Sequence, residues 1–391
     1  MDFDAFRELL TPRGLRALGE AEELVGADPV VAATKLRRTY DAALTSAALT
    51  QAGLRDRARA KFGADAGLMY FTPHGLEQAT RAEVAEHRAR RLAAGPGLRV
   101  VDACCGIGGD LVALARAGCT VDAVDTDPLT VAVATANAEA LGLADRVTVT
   151  LADAASVVPE AYDVLFADPA RRTSRGRTFD PLAYSPPWPV VLELVSRSHR
   201  ACLKVAPGIP YEFIPDAAEA EWVSYRGDVK EATLWTGGDE ERTGRRATLL
   251  PGSHTLAATG VRAATGPVGR YVYEPDGAAI RAHLVGEVAE LVRGRLPDPM
   301  IAYISGDEPI DTPWAARYEV DEVLPFSLKR LRTALRDRQI GNVTIKKRGS
   351  AVDIERLRRD LRLSGVKSTV IILTRIMDRP SVIICNPSPP A

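Results

Sequence analysis

Four aspartates each follow a short apolar segment that is typical of a buried strand: Asp102, Asp125, Asp153 and Asp168. A glycine-rich turn, Gly106 to Gly109, comes shortly after the first of them. Glycines in such a turn let the backbone bend sharply and approach a ligand closely. The carboxyl ends of parallel strands meet at one edge of an open α/β sheet, where such sheets bind ligands. The spacing therefore predicts one ligand site built from these side chains.

The glycine-rich turn also limits which ligand fits. It lacks the third spaced glycine of the dinucleotide fingerprint and contains no Gly-Lys-Ser/Thr, so it predicts neither a pyrophosphate cradle nor a P-loop. Asp102 favours a ligand that carries a positive sulfonium and an amino group over one that carries phosphates. Asp125, seventeen residues beyond Gly108, is placed to accept both hydroxyls of a ribose, the alternative being an exposed turn aspartate. Asp153 can accept from an adenine amino group.

The elements that must position these residues follow from the pattern of apolar residues. From residue 98 onward, short β-branched runs alternate with helical stretches, which predicts an α/β fold with a parallel sheet and helices on both faces. The predicted parallel strands are residues 98–102, 120–125, 147–151, 162–167 and 201–205. Residues 221–225 and 232–235 complete the sheet as an antiparallel pair around Arg226-Gly227-Asp228, which makes seven strands.

A helical module precedes this sheet and a small α+β module follows it. Between residues 30 and 62 one helical stripe contains seven residues: Tyr40, Leu44, Ala47, Ala48, Leu54, Ala58 and Phe62. Thr72-Pro73 predicts the start of a helix that ends near residue 95. Residues 252–269 predict a linker, followed by a helix over 278–295, strands near 342–345 and 369–374, and a basic helix over 353–363. The predicted domains are a helical module at 1–66, the sheet at 67–251 and the α+β domain at 270–391.

The formal net charge of −1 conceals a basic C-terminal end of the 391-residue chain. Residues 325–391 contain 15 Lys and Arg against 5 Asp and Glu. A basic surface attracts polyanions regardless of their sequence, and a solvated helix face is the alternative. The five cysteines show no paired spacing of the zinc or redox type, so we expect no metal. No apolar run approaches the roughly 20 residues of a membrane span and no secretory signal is evident, so we expect no membrane partner and a cytoplasmic location.

Residues 70–155 together resemble a known family, the class I S-adenosylmethionine-dependent methyltransferases, and among them most closely the cap guanine-N2 methyltransferases, or trimethylguanosine synthases. The resemblance rests on four segments: Phe71-Thr72-Pro73, residues 100–109, Asp125-Thr126-Asp127-Pro128 and Asn137-Ala138-Glu139. It implies a Rossmann-like seven-stranded methyltransferase sheet, S-adenosyl-L-methionine as cofactor and methyl transfer as the reaction. It also implies that six residues contact the cofactor: Thr72, Asp102, Gly106, Gly108, Asp125 and Asp153.

The segment after the fourth strand, Asp168-Pro169-Ala170-Arg171-Arg172, predicts the site of the methyl acceptor. Methylation of an exocyclic amine needs hydrogen-bond acceptors that hold the NH2 group and an aromatic surface for the base. Asp168 and Pro169 are therefore the candidate catalytic residues, with Asp168 holding the acceptor nitrogen and receiving its proton. Arg171 and Arg172 are candidate phosphate contacts.

The resembled family has Ser-Pro-Pro-Trp at this point, where the present chain has Asp168-Pro169-Ala170-Arg171. A literal Ser185-Pro186-Pro187-Trp188 follows seventeen residues later, and we expect it only to begin a helix. Phe179, Tyr184 or Trp188 could stack on a substrate base, and packing in the core is the alternative for each.

The C-terminal module, with residues 324–329 and 341–349, looks like the THUMP-like domain found behind bacterial methyltransferases of this kind. THUMP domains are RNA-binding modules of tRNA-modifying enzymes, so the resemblance implies RNA as partner, with Lys346, Lys347 and Arg348 as candidate phosphate contacts. The expected function is methylation of a base nitrogen of RNA. The alternatives are a small-molecule or protein methyltransferase, whose basic module is a scaffold or dimer contact, and an RNA-binding protein without turnover. The oligomeric state stays open.

Overall fold

The computed structural model describes residues 2–93, 95, 97–170, 172–173, 176–177, 181–237 and 244–386. The chain folds into two compact units. The first comprises Met1–Ala220 and Glu231–Thr243, and the second comprises Glu221–Lys230 and Gly244–Ala391. No helix of the described residues is long and apolar enough to cross a membrane.

The helices of the first unit are α1 (Phe3–Leu9), α2 (Pro12–Glu22), α3 (Pro29–Leu36), α4 (Ala42–Phe62), α5 (Pro73–Gln78), α6 (Ala82–Leu92), α7 (Gly109–Arg116), α8 (Pro128–Ala140) and α9 (Trp188–Arg197). The predicted stripe is confirmed, because six of its seven residues, all but Ala47, are buried in one cluster with residues of α1 and α2. The helix expected over 30–62 is interrupted, since Asp41 caps α4 by accepting from the Leu44 amide (3.0 Å). The helix expected after Thr72 also breaks, at residues 79–81, into α5 and α6.

The strands of the first unit are β1 (Arg99–Asp102), β2 (Thr120–Asp125), β3 (Val147–Leu151), β4 (Val164–Ala167), the two-residue strands β5 (Arg172–Thr173) and β6 (Gly176–Arg177), β7 (Arg200–Val205), and most of β9 (Asp228–Gly237). Within this unit the sheet order is β9-β7-β4-β1-β2-β3, with β9 antiparallel to β7 and the others parallel. All five predicted parallel strands are confirmed. The order reverses between β1 and β4, which is the point where such sheets bind ligands.

The second unit contains most of β8 (Glu219–Tyr225), the start of β9, β10 (Gly244–Leu250) and β11 (His254–Ala257). The predicted reversal lies at Arg226 and Gly227, which both have positive φ. The predicted linker at 252–269 is wrong in its first part, because β11 pairs antiparallel with β10 there.

The rest of the second unit has the strands β12 (Tyr271–Pro275), β13 (Ile304–Gly306), β14 (Ala315–Pro325), β15 (Ile340–Lys347), β16 (Lys367–Ile376) and β17 (Arg379–Cys385), and the helices α10 (Gly277–Arg281), α11 (Val285–Leu291), α12 (Leu328–Asp337) and α13 (Ile354–Leu361). The sheet order is β13-β12-β14-β17-β16-β15. Leu331, Leu335, Leu357 and Leu361 pack α12 and α13 on this sheet. The α+β prediction is confirmed, whereas the helix expected over 278–295 divides into α10 and α11 at His283, which has positive φ.

Candidate functional site

A cleft of about 630 Å³ opens at the carboxyl edge of the parallel strands in the first unit. It contains six of the residues that the sequence predicts for the site: Asp102, Gly106, Asp125, Asp153, Asp168 and Pro169. Strands β1, β2, β3 and β4 each end at or within two residues of one of these aspartates, so the parallel arrangement itself brings the four carboxylates to one cleft.

The turn after β1 shapes the floor of the cleft. Gly106 and Gly108 have φ of +54° and +85°, a backbone conformation that favours glycine. A Cβ on Gly108 would lie only 2.9 Å from Cδ2 of Leu111, so a larger residue there would force that buried side chain to shift. Gly108 is the residue before the first turn of α7 and is not among the residues that line the cleft.

Asp102 is fully buried at the end of β1. Its Oδ1 accepts from the Cys104 amide (3.3 Å), while its Oδ2 has no hydrogen-bond partner among the described residues. Burial raises the pKa of this carboxyl well above its usual range, and the charge of Asp110 raises it further. This buried oxygen is available to accept a hydrogen bond from a ligand in the cleft.

Asp125 is oriented by two backbone amides. Its Oδ2 accepts from the Gly106 amide (3.1 Å) and its Oδ1 from the Asp127 amide (3.0 Å). Each carboxylate oxygen keeps a second lone pair with which it can accept from a ligand hydroxyl. The Gly106 bond also ties the end of β2 to the turn after β1.

Thr72 and Asp153 both act as local caps. The Thr72 hydroxyl accepts from the Gly75 amide (2.9 Å) at the start of α5, and Gly75 rather than Thr72 lines the cleft. Asp153 is exposed at the edge of the cleft, and its Oδ1 accepts from the Ala155 amide (2.8 Å).

The N-terminal helices hold one wall of this cleft, which is formed by residues from 75 to 80. Lys61, at the end of α4, donates from Nζ to the carbonyl oxygens of Leu76 (2.7 Å), Glu77 (3.0 Å) and Ala79 (2.8 Å). These carbonyls lie at the end of α5, where helical carbonyls lack intrahelical partners. The sequence analysis did not select Lys61, because only the tertiary fold brings it to this wall.

The segments Asp168-Pro169-Ala170 and Ser185-Pro186-Pro187 lie side by side in the cleft wall. The Ala170 amide donates to the Ser185 carbonyl (2.8 Å), and the Ser185 amide donates to the Ala170 carbonyl (3.0 Å). Trp188 begins α9 as predicted. The expectation that Ser185-Pro186-Pro187-Trp188 only begins a helix is therefore incomplete, since its first three residues also line the site.

Tyr184 and Trp188 are packing residues. Both are buried, and their rings contact each other edge-on with centroids 6.3 Å apart. Phe179 and Arg171 lie outside the described residues. Arg172 begins β5, and its side chain is likewise outside the described part of the chain.

Lys204 is a charged residue of the site that the sequence analysis missed. It lies in β7 with only 4% of its side chain exposed, and its Nζ pairs with Oδ2 of Asp168. The available signal was a lysine in the otherwise apolar run 201–205, which was predicted as a strand.

A buried ionic cluster lies next to this pair. Arg88 of α6 donates to Asp110 and to Glu231, and Thr80 also donates to Asp110 (3.3 Å). Burial alone would raise the pKa of Asp110, but Arg88 and Lys204 outweigh it and bring that pKa below its usual value. Among the described residues, no group of three or more His, Cys, Asp or Glu side chains is arranged to hold a metal ion.

The predicted phosphate contacts of the second unit lie at the end of β15 and just beyond it. Lys346 forms an ion pair with Glu274 (2.9 Å), and the Arg348 guanidinium donates to the Ala302 carbonyl (2.9 Å). Lys347 is exposed and donates to the Val352 carbonyl (3.1 Å). All three cations therefore have part of their charge or bonding capacity committed within the protein.

Comparison with known proteins assigns the chain to a family. It is 37% identical over 356 residues to an uncharacterized S-adenosylmethionine-dependent methyltransferase of Mycobacterium tuberculosis, and the match covers 86% of this chain and 95% of the relative in both strain CDC 1551 / Oshkosh and strain ATCC 25618 / H37Rv. The chain belongs to the S-adenosylmethionine-dependent methyltransferases. S-adenosylmethionine is accordingly the cofactor of this methyltransferase.

Parts of the methyltransferase match three domain families. Residues 98–191 match the RNA cap guanine-N2 methyltransferase family, residues 315–387 match the THUMP domain-like family, and residues 2–58 match a domain of unknown function. The fold is similar to a crystal structure from Porphyromonas gingivalis W83 that is described as a methyltransferase, with a TM-score of 0.77 and 20% identity. That similarity covers 96% of this chain and 98% of the other.

Proposed function

We propose that this methyltransferase methylates a base nitrogen of RNA. The observation that carries the proposal is Asp168-Pro169 in the wall of the cleft, because a carboxylate there can accept from an amino group of a base. The matches to the cap guanine-N2 methyltransferase and THUMP-like families support RNA as the substrate, and so does the basic C-terminal end. Residues 325–391 then serve to attract the phosphate backbone.

The cleft residues fit the cofactor. When bound, S-adenosylmethionine supplies an electrophilic methyl group on a sulfonium. Its amino group would satisfy Oδ2 of Asp102, its ribose hydroxyls would donate to Asp125, and its adenine amino group would donate to Asp153. Gly106 would keep the backbone close to it without a side chain in the way, whereas Gly108 would act through the shape of the turn and Thr72 through the start of α5.

At the acceptor end, Asp168 accepts a hydrogen bond from the amino group that is to be methylated. In accepting the methyl group that the cofactor would supply, the nitrogen would have to lose one proton. Asp168 takes that proton, directly or through water. Because the sulfonium is already a good leaving group, the protein contributes mainly by orienting the acceptor and excluding water.

A proton release should accompany cofactor binding. The raised pKa of Asp102 in the free protein falls when an ammonium group lies beside its carboxylate. At a pH between the pKa of Asp102 in the complex and its pKa in the free protein, cofactor binding must release a proton. The affinity for the cofactor must therefore rise with pH over that range. We expect calorimetry of S-adenosylmethionine in two buffers of different ionisation enthalpy to detect this release in the wild type and not in Asp102→Asn. Equal release by both proteins would remove Asp102 from this role.

The exposed cations on α12 are the strongest candidates for phosphate contact in the second unit. Lys329, Arg330 and Arg336 are exposed, with Arg336 3.6 Å from the Asp337 carboxylate, whereas Lys346 and Arg348 are half-buried beside Glu274 at 2.9 Å and 4.0 Å. We expect a triple variant with alanine at Lys329, Arg330 and Arg336 to show a shallower slope of log RNA affinity against log salt concentration, by roughly two units. A triple variant with alanine at Lys346, Lys347 and Arg348 should reduce this slope by less.

Filter binding of total RNA over a salt series measures both slopes. Both variants should weaken binding to different RNAs about equally, because phosphate contacts do not read sequence. Cofactor affinity is the control and should not change. Unchanged slopes in both triple variants would support the solvated-face alternative and a substrate other than RNA.

Nucleoside mass spectrometry tests the proposed function in the cell. Total RNA from cells with and without the gene is digested to nucleosides, and we expect one base-methylated nucleoside to be lost with the gene. Identical methylated nucleosides in the two samples would favour a small-molecule or protein acceptor.

A further inference from the structure

Lys204 places an ammonium group in a buried, largely apolar strand, where a charge is energetically unfavourable. The rest of β7 from Ala201 to Val205 is apolar and buried, and Lys204 is buried with it. Strands β4 and β7 are parallel with Ala167 beside Leu203, so the next residue of each strand, Asp168 and Lys204, comes side by side. Because an unpaired buried ammonium is strongly destabilising, this register is favourable only with the carboxylate in place.

The charges around Lys204 indicate that its partner is Asp168. Asp168 lies close enough to two other buried acids, Asp102 and Glu231, to raise the pKa of each. The other buried cation, Arg88, is held between Asp110 and Glu231. Lys204 is therefore the cation that the described structure pairs with Asp168.

We propose that Lys204 is a positioning residue for methyl transfer. Its ammonium holds Oδ2 of Asp168 and leaves Oδ1 to accept from the methyl acceptor. Asp168 lines the cleft and Lys204 is not among the described lining residues, so Lys204 acts through Asp168 and not on the substrate. The inference rests on the proposed role of Asp168 in RNA methylation.

Single-turnover methyl transfer tests this role. Full-length enzyme in excess is mixed with labelled S-adenosylmethionine and total RNA from cells that lack the gene. We expect Lys204→Met to lower the rate roughly tenfold to a hundredfold, with cofactor affinity by calorimetry within about threefold of the wild type. Lys204→Arg should restore most of the rate. Lys204→Met should add little further loss in an Asp168→Ala background, since the two residues act as one unit.

Arg91→Met is the matched control. Arg91 also places a partly buried cation against a carboxylate of the first unit, Glu219. Its loss should leave the rate per folded enzyme unchanged. A full rate in Lys204→Met, or an equal loss in the Arg91→Met control, would overturn the positioning role while leaving the RNA function standing.

A second measurement needs no RNA. In urea unfolding, Lys204→Met and Asp168→Asn should be coupled, so that the double variant loses less stability than the two single losses added together. Independent losses would overturn the pairing on which the proposal depends. If the two stability losses were coupled but the wild-type enzyme methylated no RNA, the proposed function would be wrong. The role of Lys204 in RNA methylation would then be wrong as well.

Discussion

Asp168→Ala should lower methyl transfer to RNA by roughly 10²- to 10⁴-fold, the range typical of a lost general base. Cofactor affinity should stay within a few-fold, because the proposed cofactor contacts are Asp102, Asp125 and Asp153. Asp168 instead lines the part of the cleft to which Ser185 and Pro186 also contribute. Single-turnover rates and calorimetry on the same preparations measure the two effects separately.

Asp163→Ala is a matched control for this experiment. Asp163 precedes β4 at the opposite end of the strand that leads to Asp168, where its Oδ2 accepts from the Arg99 amide (2.7 Å). It should change stability without changing the rate of methyl transfer by folded enzyme. If Asp168→Ala lost cofactor binding and turnover equally, Asp168 would have to be assigned to the cofactor and not to the acceptor.

Asp125→Ala should weaken binding of S-adenosylmethionine by at least about a hundredfold. Two ribose hydroxyls lose a charged acceptor, and each such hydrogen bond contributes about 1.5–3 kcal/mol. The structure adds a second reason, because the Asp125 carboxylate also holds the Gly106 amide and with it the glycine-rich turn. Calorimetry with the cofactor and with its demethylated product measures the loss.

Two variants separate these contributions. Asp122→Ala removes an aspartate of the same strand, β2, that pairs with Arg99 and does not line the cleft, so its cofactor affinity should match the wild type. Asp125→Asn keeps one amide-accepting oxygen and should fall between the wild type and Asp125→Ala. Tight cofactor binding by Asp125→Ala would mean that the ribose contact has been assigned to the wrong residue.

The parallel strands and the cleft were predictable because they depend on local pattern. Short apolar runs give β1 to β4, and parallel strands deliver their terminal residues to one edge whatever the rest of the fold does. Helix boundaries were less predictable. Asp41 caps α4, and His283 has a positive φ between α10 and α11. Each of them divides a segment that the apolar periodicity predicts as a single helix.

The parts of the site that sequence could not supply depend on contacts between distant segments. Ser185 reaches the cleft because its backbone pairs with Ala170, which no spacing rule indicates. Lys204 reaches Asp168 because of the register between β4 and β7. In the second unit, the basic run at 346–348 predicts a free cationic patch. In the structure Glu274, which lies on another strand, pairs with Lys346 and neutralises part of that charge.

Transfer of a labelled methyl group by the purified enzyme distinguishes RNA from other acceptors. Total RNA from cells without the gene is incubated with the enzyme and methyl-labelled S-adenosylmethionine, then digested to nucleosides and analysed by mass spectrometry. We expect label on a nitrogen of one base with the wild type and none with Asp168→Ala. Label on ribose or on another base atom, or none in RNA while a protein or small-molecule fraction is labelled, would contradict the proposed function.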